Sequence, residues 1–367
     1  MARIAIMTIR AIVTVRLEGI ELKHVQLMEL RNGCQPIPTM TSIEKTREDN
    51  RPLVSVLVAC YNQARYVEEC LASVLNQTYE NIEVIIIDDC SQDDSASVIQ
   101  RWLVANNSTA TFFRHHQNQG ICKTFNAALQ RATGEYICVL AADDVYLPEK
   151  IDEQVRIMEA LPPKVGVVYS DSWQMDVDGI PLAEKFIEAH RRFQVMPEGH
   201  LFPVLLGGNF IPAMATMIRR ECFDTVGPYD EELVYEDFDM WLRISRHYDF
   251  AFSPTISAKY RIVPGSISRV LRNETAALES DFRICEKLIR CNELTRDERW
   301  LVKVRLASIA FHMYANAGRN QYLRKIVRYH PCKYTLAIWL FATARVPFRY
   351  FDRMLPRRQP RPQPEFR

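Results

Sequence analysis

The sequence predicts an α/β protein, a doubly wound and mostly parallel sheet with helices on both faces, followed by a helical C-terminal region. Three observations predict it. Apolar runs of strand length recur through the first half of the chain. Apolar residues at helical spacing separate those runs. Acidic pairs stand where two of the runs end.

The first run covers 53–59, long enough for a strand buried on both faces. Val67, Cys70, Leu71, Val74 and Leu75 follow at i, i+3, i+4, i+7 and i+8, one face of a helix. Residues 82–87 make a second buried strand that ends on Asp88 and Asp89. A helix over 95–104 and a short strand near 111–114 come next. Ile121, Phe125, Ala128 and Leu129 mark another helix face, and the strand over 135–140 ends near Asp143 and Asp144. Strands alternating with helices imply a doubly wound sheet. Ligands of such sheets bind beyond the carboxyl ends of the strands, where both acidic pairs fall.

Composition sets the frame. Apolar residues are 48% and charged residues 25%, as in a soluble globular chain. A net charge of +1 gives no bias toward nucleic acid. Ten cysteines without a CxxC pair read as buried free thiols of a reducing, cytoplasmic compartment. Arg3, Arg10 and Arg16 break the apolar start, so it does not read as a secretory signal. Residues 334–348 are the nearest approach to a membrane span, and Arg345 and Pro347 cut them short. The expected organisation is an N-terminal extension and linker over 1–50, with Met40 as an alternative start. The α/β domain covers 51–272, a helical region 273–354, and a disordered Pro/Arg tail 355–367.

Several residues carry chemistry. Asp143 and Asp144 repel one another after a buried strand, and a divalent cation, Mg²⁺ or Mn²⁺, would give them a reason to be adjacent. Taken alone, the pair also suits a helix cap before Leu147-Pro148. Asp88 and Asp89 could accept a hydrogen bond from a nucleotide base, or form an Asx turn with Ser91. Tyr61 could stack on a base or pack under a loop. Glu236 and Asp237 open a helix, where the dipole favours carboxylates. Asp237 could act as a general base, and Trp241 could offer a sugar a flat face on the acceptor side. The same segment also reads as a capped amphipathic helix with a core tryptophan.

Taken in order, these pieces resemble the family 2 glycosyltransferases of the GT-A fold. The resemblance runs from Val54 through Tyr61-Asn62, Gln77-Thr78-Tyr79, Asp88-Asp89, Asn118-Gln119-Gly120, Asn126 and Gly134-Glu135. It continues through Asp143-Asp144, Glu236-Asp237, Trp241, Arg243 and Tyr260-Arg261 to Ser268, covering 52–270. It implies a nucleotide diphosphate-sugar donor, UDP-linked by expectation. Tyr61 and Asp89 would hold the base, Asp143 the ribose side and Asp144 the metal. Asp237 would be the base of an inverting transfer, with Glu236 and Trp241 on the acceptor side. Lys123 is a further diphosphate contact that its charge permits. The implied acceptor is a glycan or lipid-linked glycan of a bacterial surface polysaccharide.

Two departures stand out. Ala141 occupies a position where many relatives carry Asp, and Val263 one where many carry His. The signature of processive synthases is absent. The competing readings are a non-catalytic nucleotide-sugar-binding protein and a nucleotidyltransferase. The latter would show a glycine-rich loop where this chain has Cys60-Tyr61-Asn62-Gln63. Basic and aromatic residues over 334–354 suit either a helix at the inner membrane face or one packed on protein.

Overall fold

The computed structural model describes residues 51–264, 266, 275–317 and 321–329. They divide into two compact units near Ser280. The extension over 1–50, the basic-aromatic segment 334–354 and the tail 355–367 lie outside the described residues.

The larger unit is built on one nine-stranded sheet. In its first half β1 (Val54–Cys60), α1 (Val67–Leu75), β2 (Ile82–Asp88), α2 (Ser95–Ala105), β3 (Thr111–Arg114), α3 (Ile121–Leu129) and β4 (Tyr136–Ala141) alternate. Strands β2 and β4 flank β1 in parallel, and β3 adds outside β2. Every residue of β1 is buried. Val54, Val56, Val58 and Cys60 share a core with Val67, Cys70, Leu71 and Val74 of α1 and Ile99 of α2. The alternate residues of β1 turn to the other face, where α3 packs on β1 and β2. Two-sided burial is what the continuous apolar run provides for, at ~1.5–3 kcal/mol per large aliphatic side chain.

The register aligns the strand ends. Cys60 lies opposite Asp88, and Ala59 opposite Ala141. Tyr61, Asp89 and Asp143 therefore leave the sheet at one edge.

Beyond β4 the pairing is mixed. The chain continues through β5 (Val145–Tyr146), α4 (Lys150–Ala160), β6 (Val165–Met175), β7 (Pro181–Lys185), α5 (Phe186–His190) and α6 (Phe202–Leu205). Then come β8 (Thr216–Arg219), α7 (Arg220–Val226), α8 (Asp237–Ile244) and β9 (Asp249–Arg261). Strand β8 runs antiparallel to both β4 and β6. Strands β6 and β9 are parallel, with register shifts. Strand β5 pairs antiparallel with β9, Val145 opposite Lys259. This last pairing folds the Asp143-Asp144 corner back against Arg261.

Lys150 pins that corner from below. Its buried ammonium donates to Gln154 Oε1 at 2.9 Å and to the Thr216 carbonyl at 3.0 Å, and it lies 4.4 Å from the centre of the Tyr146 ring.

The C-terminal region contains α9 (Thr275–Arg290), α10 (Arg296–Ala317) and α11 (Gln321–Tyr329). In the smaller unit Tyr322 meets Phe282 edge-on at 4.9 Å, and Glu286 accepts from Lys325 and Tyr329, each at 3.1 Å. Among the described residues no helix is long and apolar enough to cross a membrane.

Candidate active site

The site begins at the ends of β1 and β2. Tyr61 is 41% exposed, so its ring faces outward at the strand end. Asn62 follows with φ 54°, a left-handed conformation that Asn tolerates better than most residues. Its side chain accepts the Gln92 N–H at 2.7 Å, and its own N–H donates to Ser91 Oγ at 2.9 Å. Gln63 N–H donates to Ser95 Oγ at 2.8 Å. The two loops are thereby tied into one rim.

Asp88 is wholly buried and structural. It accepts from Ser91, and from Arg114 Nε at 3.1 Å. Asp89 is also buried, and its carboxylate gathers the next loop. Oδ1 takes His115 Nδ1 at 2.8 Å and the Gln119 N–H at 2.9 Å, while Oδ2 takes the Gly120 N–H at 2.8 Å. Asp89 thus fixes the loop that opens α3. Lys123, in the first turn of α3, is half-buried and forms no ion pair among the described residues.

Asp143 and Asp144 stand beyond β4. Asp143 Oδ2 accepts from Gln63 Nε2 at 3.2 Å. Asp144 is 3% exposed, and its Oδ1 accepts the Arg261 N–H at 2.9 Å. Burial raises the Asp143 pKa, with Arg261 and Gln63 opposing. Burial lifts Asp144 well above the carboxylate range, and the charges of Asp143 and Glu236 add to the lift. Full ionisation of the pair would place more negative charge here than its surroundings balance.

Arg261 answers part of it. This residue is 2% exposed. Its Nε donates to the Asp143 carbonyl at 2.9 Å, its Nη2 to Glu69, and its guanidinium lies 4.7 Å from the Tyr66 ring centre.

The second acidic pair arrives from the other half of the sheet. Asn126 of α3 brings it in, donating to the Tyr229 carbonyl and accepting the Tyr229 N–H, both at 2.9 Å. Cys122 Sγ contacts the Leu233 carbonyl at 3.5 Å. The chain then enters α8 through Glu236 and Asp237, both half-buried. Burial, then the Asp237 charge, push the Glu236 carboxyl up to about 8. Asp237 Oδ2 accepts from Asn209 Nδ2 at 2.6 Å.

The Glu236 charge reaches Asp144, so the two acidic pairs approach one another, with Tyr61, Asp89 and Lys123 at the adjoining strand and helix ends. Trp241 does not join them. It is 1% exposed, lies edge-on to Phe250 of β9 at 6.3 Å, and cannot present a flat face to a sugar. The expectation of an acceptor-side tryptophan is corrected: four residues into α8, the side chain enters the core. Asp239 is likewise structural, bonded at 2.7 Å to Arg243 Nε, whose guanidinium also holds the carbonyls of Val226, Gly227 and Pro228.

Asn209 and Gln63 escaped sequence reasoning, as did the bracing of the acidic corner by Arg261. Arg261 stood in the motif without a role. For Asn209 the only signal was its place after two glycines.

An α/β sheet with acidic strand ends of this kind is the GT-A architecture. The family profile described as Glycosyl transferase family 2 matches residues 55–227. TuaG of Bacillus subtilis, assigned to teichuronic acid biosynthesis, is 30% identical over 219 residues, 59% of this chain and 82% of TuaG. An uncharacterised glycosyltransferase of Rickettsia felis is 30% identical over 67% of this chain, which spans 39% of that protein's length. Among solved structures, S. aureus TarS 1–349 in complex with UDP-GlcNAc superposes with a TM-score of 0.59. It is 15% identical, over 80% of this chain and 87% of that one. The Pyrobaculum calidifontis mannosyltransferase PcManGT, in complex with GDP-Man and Mn²⁺, gives 0.55 at 17% identity over 95% of each chain. These structures share the fold. The chain belongs to glycosyltransferase family 2.

Proposed function

We propose that this chain transfers a sugar from a nucleotide diphosphate-sugar, with inversion, to a hydroxyl of a glycan or lipid-linked glycan. The observation that carries the reading is the approach of two carboxylate pairs, Asp143-Asp144 beyond β4 and Glu236-Asp237 at the start of α8, with the Glu236 charge reaching Asp144. One pair suits a cation and the other a proton.

Asp143 and Asp144 fit Mg²⁺ or Mn²⁺. They are hard oxygen donors whose burial and mutual repulsion a divalent ion would relieve. Asp144 would hold the ion, and Asp143 would face the ribose. When bound, the ion neutralises charge on the leaving diphosphate. Lys123, unpaired among the described residues, adds a positive charge near the first turn of α3. Tyr61 offers its exposed ring to the base. Asp89 shapes the loop beside it and contributes its carboxylate to the base edge.

Asp237 takes the proton of the acceptor hydroxyl as that oxygen bonds to the anomeric carbon. The bond from that carbon to the diphosphate oxygen breaks on the opposite face, which inverts the anomer. Burial and the Asp237 charge favour the protonated form of Glu236, which can donate a hydrogen bond to the acceptor without competing for its proton.

TarS supports a uridine nucleotide, TuaG a surface-polysaccharide setting, and PcManGT a divalent cation. A lipid-linked acceptor would set the reaction at the inner face of the cytoplasmic membrane.

The test is a panel of UDP- and GDP-linked sugars with the purified chain, following nucleoside diphosphate release. One donor is expected to be consumed, with activity lost in excess chelator and restored by Mn²⁺ or Mg²⁺. Pyrophosphate as product would replace this reading with a nucleotidyltransferase. Tight donor binding without turnover on any acceptor would replace it with a binding protein.

A further inference from the structure

A general base works only when its carboxylate faces the proton it removes. The structure supplies a holder for Asp237 from a loop 28 residues away. Asn209 Nδ2 donates to Asp237 Oδ2 at 2.6 Å. The amide's own orientation is set as well, because Asn209 Oδ1 accepts the Ile211 N–H at 3.1 Å. The –NH₂ end must therefore point at Asp237.

The sequence builds this delivery locally. Helix α6 closes with the Gly207 N–H on the Val204 carbonyl at 3.0 Å and the Gly208 N–H on the Leu205 carbonyl at 2.9 Å. Gly208 then adopts φ 136°, a conformation natural to glycine alone, and the chain turns into Asn209. Helix α6 packs on α8, so the loop leaving α6 meets the first turn of α8, where Asp237 stands.

We infer that Asn209 is a positioning residue for sugar transfer, holding the Asp237 carboxylate at Oδ2 while the Phe238 N–H donates to Oδ1 at 2.6 Å, so that the base keeps one orientation toward the acceptor hydroxyl. The inference rests on Asp237 being the base, as proposed above.

The test uses the full chain and four proteins besides wild type: Asn209→Asp, Asn209→Ala, Asp237→Asn, and the double variant Asn209→Asp/Asp237→Asn. Asn209→Asp is isosteric and keeps the acceptor for Ile211, but it replaces the donor with a repelling carboxylate. Its kcat should fall roughly 10–100-fold, part of the 10²–10⁴-fold a general base contributes. Donor KM should stay within about twofold, since Asn209 acts on the proton-transfer step. Asn209→Ala should lose roughly 10-fold by the same reasoning. In the double variant the Asn209 change should cost nothing beyond Asp237→Asn, because residues acting as one unit are not additive. Full kcat in both folded Asn209 variants, or a double variant that multiplies the two losses, would overturn the positioning role alone. Full kcat in Asp237→Asn would overturn the general-base reading and this inference with it. If Asn209→Asp does not fold, Asn209→Ala and its own double variant carry the same comparison.

Discussion

The two halves of the sheet are made of different material. Strands β1, β2 and β4 are nearly continuous apolar runs, parallel and buried on both faces. Strand β6, in the other half, reads VGVVYSDSWQM and is almost as well buried. Two of its polar residues survive burial by bonding across the sheet, whereas Ser172 Oγ finds no partner among the described residues. Ser170 Oγ donates to Ser257 Oγ at 2.6 Å, and Gln174 Nε2 donates to the carbonyls of Glu184 and Lys185, both at 3.1 Å. The first half is thus written in periodicity, whereas the second is written in partners that only the fold reveals. The site straddles the two, and each acidic pair belongs to one half.

Four substitutions or conditions sharpen this contrast. The largest effect belongs to the donor side. Asp144→Ala should reduce turnover by about 10³-fold or more, the several kcal/mol that a bound cation contributes to charge stabilisation. Assays across Mg²⁺ and Mn²⁺ concentrations would read it. Near-normal turnover at saturating metal would remove Asp144 from the metal site.

On the acceptor side, Asp239→Asn should act on stability instead. It takes the charge from a partly buried pair with Arg243, at a cost of roughly 1–3 kcal/mol. Urea unfolding should show this loss while kcat changes less than about threefold, since no proton passes through Asp239. A large loss of kcat in a stable Asp239→Asn protein would move the base two residues along α8.

Trp241→Phe comes next. Lost packing on Phe250 should cost roughly 1–2 kcal/mol, offset in part because the indole N–H finds no acceptor among the described residues. Acceptor KM should not move. A KM raised tenfold in a fully folded variant would return Trp241 to the acceptor site.

The smallest effect is on pH dependence. Burial, then the Asp237 charge, push Glu236 up to about 8 in the folded chain, against an ordinary 4.5. Between those values the folded chain binds more protons than the unfolded one, so stability falls as pH rises through that window. Asp143 and Asp144, also raised, contribute with the same sign. Thermal melts of metal-free protein should therefore decline from pH 5 to 8, and Glu236→Gln should flatten the slope. An unchanged slope in that variant would show that Glu236 does not titrate there.

Much of the fold was legible. The strands and helices from β1 to β4 lie where the apolar spacing sets them, within a residue at most ends. Both acidic pairs fall at the ends of elements, as expected. The misreading of Trp241 has a physical root. A tryptophan one turn after a carboxylate is compatible with a cleft and with a core, and Phe250, whose position the fold alone supplies, decides between them. Arg261 shows the same limit over a longer span. Its bonds to the Asp143-Asp144 corner cross more than a hundred residues, so no local pattern announces them.

The division of labour between the halves has one direct test. Nucleoside diphosphate binding with Mn²⁺ should be measured by calorimetry on wild type and Asp237→Asn, beside kcat on the same preparations. Binding should agree within about twofold while kcat falls about 10²–10⁴-fold, because the base meets the acceptor and not the nucleotide. Loss of binding in step with kcat, or full kcat in the variant, would contradict the account.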